Sequence, residues 1–284
     1  MTISSLTRIY RFTLYHSFTW FVVLFVVLFV VWFVVLSLPV FTAGGQPYGG
    51  KAFHDSVYAG GPQKIPGRVQ CAYYDFGGEG VAYHDADATN NGSGHLNPAD
   101  GSYLNQFRMD EGVDTSYTKF HDQIDNNSFN LVQPPEGQIY VGWTEPGEWI
   151  KMTVVVERAG LFGIDLLYTS NRGGEISFDL NGNKLSGSIN LVSTYNAADP
   201  VPWRQWHHWN IAKDLTQVNL PKGVSVLTLR VVSQGNMNFA YMEFKPKSGR
   251  AVPRLAQVPP TRDQTVAQSF PDSRVTLIFF RQRS

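Results

Sequence analysis

Apolar positions in the second half of the chain recur at every other residue or in short unbroken runs, with turn residues between them. Glu148 to Val156 (EWIKMTVVV), Leu161 to Thr169 (LFGIDLLYT), Ser225 to Val232 (SVLTLRVV) and Met237 to Phe244 (MNFAYMEF) each predict a strand. The first two are parted only by a short turn around Ala159 and Gly160. In EISFDLNGNKLSGSI, Asn181-Gly182 sits between two strand-like runs, and both residues accept the positive φ that a tight hairpin demands. Alternation along the last strand puts Phe239, Tyr241 and Glu243 on one face and Asn238, Ala240 and Met242 on the other. Nothing between Arg68 and Lys245 has the period of an amphipathic helix. The pattern predicts an all-β fold, an antiparallel β-sandwich of jelly-roll type, preceded by one N-terminal hydrophobic helix.

That helix is the run Phe18 to Leu38, which carries no charge and is long enough to cross roughly 30 Å of hydrocarbon. Arg8 and Arg11 precede it, so the N-terminus stays in the cytoplasm and the rest is sent across. Residues 1–43 are a signal anchor or a signal peptide. The anchor is favoured, because cleavage after Ala43 would set bulky Phe41 where a small residue is preferred; cleavage after Gly45 would set Ala43 there instead. The domain is expected to be secreted, periplasmic or at the cell surface, with the membrane as a partner through 18–38 if the segment is retained. Residues 44–67 are punctuated by glycine and proline and predict a linker, residues 68–247 the domain, and the proline-rich polar stretch 248–284 a disordered tail.

Composition narrows the function. The 284 residues include 23 basic and 23 acidic side chains, so no net field draws the chain to nucleic acid. Charged residues make up only 16% against 14% aromatics, and 26 glycines suit short strands and tight turns. A lone cysteine, Cys71, allows neither an intrachain disulfide nor a thiolate metal site.

Three kinds of chemistry are weighed. HDADATNN offers Asp85, Asp87, Thr89 and Asn91 at alternate positions like the start of a calcium loop, but Leu96 stands where a bidentate glutamate is required, and a polar loop of self-bonding Asx residues is favoured. His207 and His208 are adjacent; in a strand they face apart and cannot share an ion. Acids are plentiful (Glu79, Asp85, Asp110, Glu111, Asp114, Glu145, Glu148), yet most sit in turns, and the chain has no nucleophile elbow, H-E-x-x-H or phosphate-cradling loop. Catalysis is not expected. VPWRQWHHWN concentrates three of seven tryptophans in ten residues; its prolines argue against a helix, and it is read as a loop handing over to a strand. Trp203, after Pro200 and Pro202, is then an exposed aromatic that is costly without a ligand.

Six segments, VQCAYYDFGGEGVAYHD, FRMDEGVDTSY, YVGWTEPGEWIKMTVVVERAGLF, PWRQWHHWNI, LPKGVSVLTLRV and NMNFAYMEF, together resemble in their order the family 6 carbohydrate-binding modules. The resemblance covers Arg68 to Lys245. It implies a non-catalytic β-sandwich that holds a sugar ring of a polysaccharide or oligosaccharide between two aromatic side chains in a loop cleft, with an asparagine bonding its hydroxyls. The matching residues are Trp143, Trp203 and Asn238; Glu79 in GGEG is either a further hydroxyl acceptor or a plain turn acid. Trp206 matches a structural position and is expected to be buried, with Trp209 on the opposite face. Many members hold calcium with acids at positions occupied here by Ala72 and Ala240, so no cofactor is expected. Two other readings stay open: the binding part of a polysaccharide-degrading enzyme, and an adhesion module recognising protein.

Overall fold

A computed structural model describes residues 47–248. The expected hydrophobic helix over 18–38, the signal segment 1–43 and the tail lie outside the described residues, among which no helix is long and apolar enough to cross a membrane. The alternating runs become strands β1 (Gln63–Ile65), β2 (Gly67–Gln70), β3 (Tyr83–His84), β4 (Thr115–Tyr117), β5 (Ile139–Val141), β6 (Trp149–Val156), β7 (Gly160–Ser170), β8 (Gly174–Leu180), β9 (Asn183–Lys184), β10 (Ile189–Leu191), β11 (Asn210–Leu220), β12 (Gly223–Ser233) and β13 (Met237–Pro246).

They form two sheets. One runs β1-β6-β12-β8-β10, with β3 added on β6 and β9 on β8; the other runs β11-β7-β13-β5-β4, with β2 added on β13. Only β1 and β6 pair in parallel; the other pairs are antiparallel. On β6 the period of two is plain: Ile150, Met152, Val154 and Val156 are buried while the residues between them are half-buried. They share the main core with Phe162, Ile164, Leu166 and Tyr168 of β7 and Phe239, Met242 and Phe244 of β13. Each such side chain removed from water contributes about 1.5–3 kcal/mol before the entropy of ordering is subtracted.

A smaller apolar cluster, Tyr140, Leu167, Trp209, Ala240 and Tyr241, uses the other face of the second sheet. Its existence depends on an irregularity that alternation does not foresee. The register of β13 against β7 shifts between Phe239 and Tyr241, leaving Ala240 as an extra residue. Phe239 and Tyr241, expected on one face, are therefore divided between the two clusters, and Met242 joins Phe239 in the main core.

The expected linker 44–67 also departs from its reading. Phe53 is buried in the main core, its ring stacked on Tyr73 at 5.0 Å and on Tyr58 at 6.2 Å, and β1 extends the first sheet. Glycine and proline removed the periodicity, but three aromatic rings supply enough apolar surface to order the segment without it.

Candidate functional site

The segment predicted to be loop and strand around VPWRQWHHWN contains a short 3-10 helix, Pro202–Trp206, and β11 begins only at Asn210. The prolines that argued against a helix act the other way: Pro202 occupies the first turn, where its fixed φ is helical and its missing N–H costs nothing. At three residues per turn, positions 203 and 206 share a face. The i, i+3 spacing was thus the available signal for Trp206, which lines the same cleft as Trp203 instead of being buried. Trp209 lies beyond the helix and is wholly buried, its ring edge-on to Tyr140 at 5.3 Å and its Nε1 donating to Asp125 Oδ1 at 2.7 Å. The burial expected for Trp206 falls on Trp209.

Asp199 fastens this turn. It accepts from Arg204 Nε and Nη2, both at 2.7 Å, from the Val201 amide at 2.9 Å, and pairs with His208 Nε2 at 2.8 Å. The Arg204 guanidinium holds the Asp199 carboxyl well below the usual carboxylate range. His207 turns instead to Asp125 Oδ1 at 2.8 Å. The two histidines face apart as expected, but each has its own buried carboxylate and neither lies in a strand.

Trp143 follows β5 in a backbone conformation with φ of 49°, the left-handed region that a bulky residue enters at a cost of about 1–3 kcal/mol. The flanks hold it there. Gly142 N–H donates to the Asp114 carbonyl at 2.9 Å, and Thr144 exchanges bonds with Met237 through its hydroxyl, both at 3.0 Å. Gly92 gives the indole room: a methyl there would stand 2.0 Å from the Thr115 carbonyl oxygen and 3.2 Å from the Trp143 ring. Asn238, the second residue of β13, is almost fully buried and donates from Nδ2 to the Trp206 carbonyl at 2.8 Å. A methyl on Gly142 would come within 2.7 Å of its Oδ1, so that glycine admits the amide.

Trp143, Trp203 and Asn238, drawn from three separate segments, line one cleft of about 850 Å³. Trp203 is 52% exposed at its edge, with Leu96 opposite solvent at 66%. Tyr117 and Trp206 add aromatic surface, and Trp206 Nε1 is buried with no acceptor among the described residues. Asn97, Ser116 and Lys119 bring polar groups that were not singled out from the sequence; Lys119 and Asn97 have no local pattern that would mark them. No aspartate or glutamate lines the cleft among the described residues.

Glu79 is not brought into this group. It pairs with His84 at 2.5 Å and accepts from the Asp85 amide at 3.0 Å, a local turn arrangement on the other sheet. The HDADATNN loop is the self-bonding polar loop of the sequence reading: Asp85 accepts from the Asp87 amide at 2.9 Å, and Asn90 Oδ1 from the Gly92 and Ser93 amides. Burial, then the nearby Glu148, Asp114 and Asp87, push the Asp85 carboxyl up to about 7. The cavity beside Asp85 and Glu148 is about 20 Å³, room for about one water and none for a sugar. At the positions where the resemblance would seat calcium, Ala72 and Ala240 are wholly buried methyls in two different apolar clusters. Neither side chain carries an oxygen that could ligate a hard divalent cation.

The chain is similar to several solved structures that contain carbohydrate-binding modules. The family 6 module of Cellvibrio mixtus lichenase 5A, solved with cellotriose, is 18% identical, with 48% of this chain and 88% of that one covered and a TM-score of 0.35. A β-1,3-glucan-binding family 6 module from Bacillus halodurans is 16% identical over 65% of this chain and 98% of its own, TM-score 0.38. A family 43 arabinoxylan arabinofuranohydrolase from Bacillus subtilis, solved with cellotetraose, is 14% identical over 69% of this chain and 33% of its own, TM-score 0.39. No family model and no curated protein matches the sequence.

Proposed function

We propose that this chain binds carbohydrate without chemistry, holding a sugar ring against Trp143 and Trp203 while Asn238 bonds its hydroxyls. The observation that carries the reading is the meeting of these three residues in one cleft with further aromatic surface from Tyr117 and Trp206. The C–H face of a pyranose suits an aromatic face, and an amide both donates and accepts at adjacent hydroxyls. One Asn238 N–H is engaged by Trp206, so its Oδ1 and second N–H are the groups offered to a ligand. A glycosidase would bring two carboxylates to the bond it cleaves, and the cleft lining has none. Arg8 and Arg11 ahead of the apolar run favour an outward-facing, secreted or surface-held domain.

The test is retention on a panel of soluble and insoluble glycans by wild type, Trp143→Ala and Trp203→Ala. The reading requires at least one glycan to be retained and both variants to lose it. Retention unchanged in both variants, or glycan cleavage abolished by a single Asp or Glu substitution, would sink it.

A further inference from the structure

We infer that the cleft takes an acidic saccharide, a sugar carrying a carboxylate or sulfate, with Lys119 as the residue that meets the negative charge. The inference rests on the carbohydrate reading of the cleft and adds the class of sugar. Lys119 lines the cleft half-buried, with Nζ donating to Asn97 Oδ1 at 2.6 Å and lying 4.6 Å from the centre of the Tyr117 ring. Neither partner carries a charge. Among the ion pairs of the described residues none includes Lys119, and no carboxylate shares the cleft lining with it.

Asp125, the carboxylate whose charge acts on Lys119, does not line the cleft and is fully buried. Its oxygens are taken by the Lys119 amide at 2.7 Å, Trp209 Nε1 at 2.7 Å and His207 Nδ1 at 2.8 Å. It serves as a hub for the backbone and for two rings, not as a terminal partner for the ammonium. Burial lowers the Lys119 pKa despite the opposing pull of Asp125, so the ammonium is under-compensated where it stands. An ammonium has three donors, and one is spent on Asn97. Asn97 is itself fixed, buried and bonded from Nδ2 to Ser116 Oγ at 3.1 Å, so the charge is presented from a rigid support. His207 and the exposed His121 add ring nitrogens to the same wall and no carboxylate. A neutral sugar would leave this half-buried ammonium with only the committed Asp125 carboxylate behind it as counter-charge; an anionic substituent supplies a direct partner and forms a charge-assisted hydrogen bond.

The experiment is isothermal titration of the full-length chain with three probes: a galacturonate trisaccharide, its carboxyl-reduced neutral counterpart, and a sulfated galactose trisaccharide. The expected result is an acidic probe bound about tenfold tighter than the reduced one at low salt, the scale of one charge-assisted bond, with the ratio shrinking as salt is added. Lys119→Gln should bring the ratio to about one, and Lys119→Arg should keep it above that of Lys119→Gln. Preference for the uronate identifies a carboxylate and preference for the sulfated sugar a sulfate; either supports the inference. Equal binding of acidic and reduced probes overturns it and leaves sugar binding standing, as does a preference that survives Lys119→Gln in a folded variant. Failure of every acidic and neutral glycan to bind overturns the carbohydrate reading itself.

Discussion

Replacing Trp203 by alanine separates binding from folding. The side chain is 52% exposed, and its one ring contact among the described residues is His207, edge-on at 5.9 Å. A tryptophan presents up to about 250 Å² of surface, so about 130 Å² is free to meet a ligand. A pyranose face covering half of that removes about 65 Å² from water, about 1.6 kcal/mol at ~25 cal/mol/Å², or about 15-fold in Kd. Folding should hardly notice, since loss of an exposed side chain changes stability by about 0.5 kcal/mol or less, about 2 °C in Tm for a domain of this size. The assay is titration calorimetry against the best-bound glycan, with thermal unfolding of the same samples. A change of less than about threefold in Kd for every glycan bound by wild type would refute the stacking argument. A fall in Tm of more than about 4 °C would instead show Trp203 to be a packing residue.

The neighbouring tryptophan should behave oppositely: Trp209→Ala empties a wholly buried site and removes one of the two partners of Asp125 Oδ1, costing about 3–5 kcal/mol in denaturant unfolding. Gly142→Ala drives a methyl toward Asn238 Oδ1 and should weaken glycan binding about tenfold, the worth of a displaced hydrogen bond, while Gly147→Ala, with nothing within 4 Å but a positive φ, should affect stability and not binding. Asp85 gives a pH test. Its folded pKa of about 7 exceeds the unfolded value of 3.8, so the folded state holds the extra proton between them, the penalty is full above about 7, and stability rises as pH falls through that window. Tm should therefore increase on mild acidification, and Asp85→Asn should flatten the rise; a wild-type Tm that fell from pH 7 to 5 with no difference in the variant would count against the burial of this carboxyl.

Much of this protein is written in local pattern. Period-two alternation specifies β6, β7, β12 and β13, because a strand with one buried face has no freedom to place its apolar residues elsewhere. Asn181-Gly182 marks its hairpin for an equally local reason, as both residues take positive φ there. Trp143, Trp203 and Asn238 were legible as a set through the order of short motifs around them, and the fold brings them to one cleft.

The remaining decisions belong to tertiary structure. Which of Trp206 and Trp209 is buried depends on a single 3-10 turn and on Asp125, 84 positions from Trp209 in sequence, whose carboxylate accepts from the Trp209 indole and not from that of Trp206. The division of Phe239 and Tyr241 between two clusters depends on a one-residue bulge, and alternation cannot signal the point at which it is interrupted. Phe53 enters the core from a segment with no period at all, because its partners Tyr58 and Tyr73 are matched in space and not in sequence. Lys119 looks in the sequence like any surface lysine. Its ammonium becomes a property of the site only when the fold half-buries it beside Asn97 and Tyr117 and commits the Asp125 oxygens to other donors. Local pattern fixes what each residue needs; only the folded chain decides which neighbour is there to supply it.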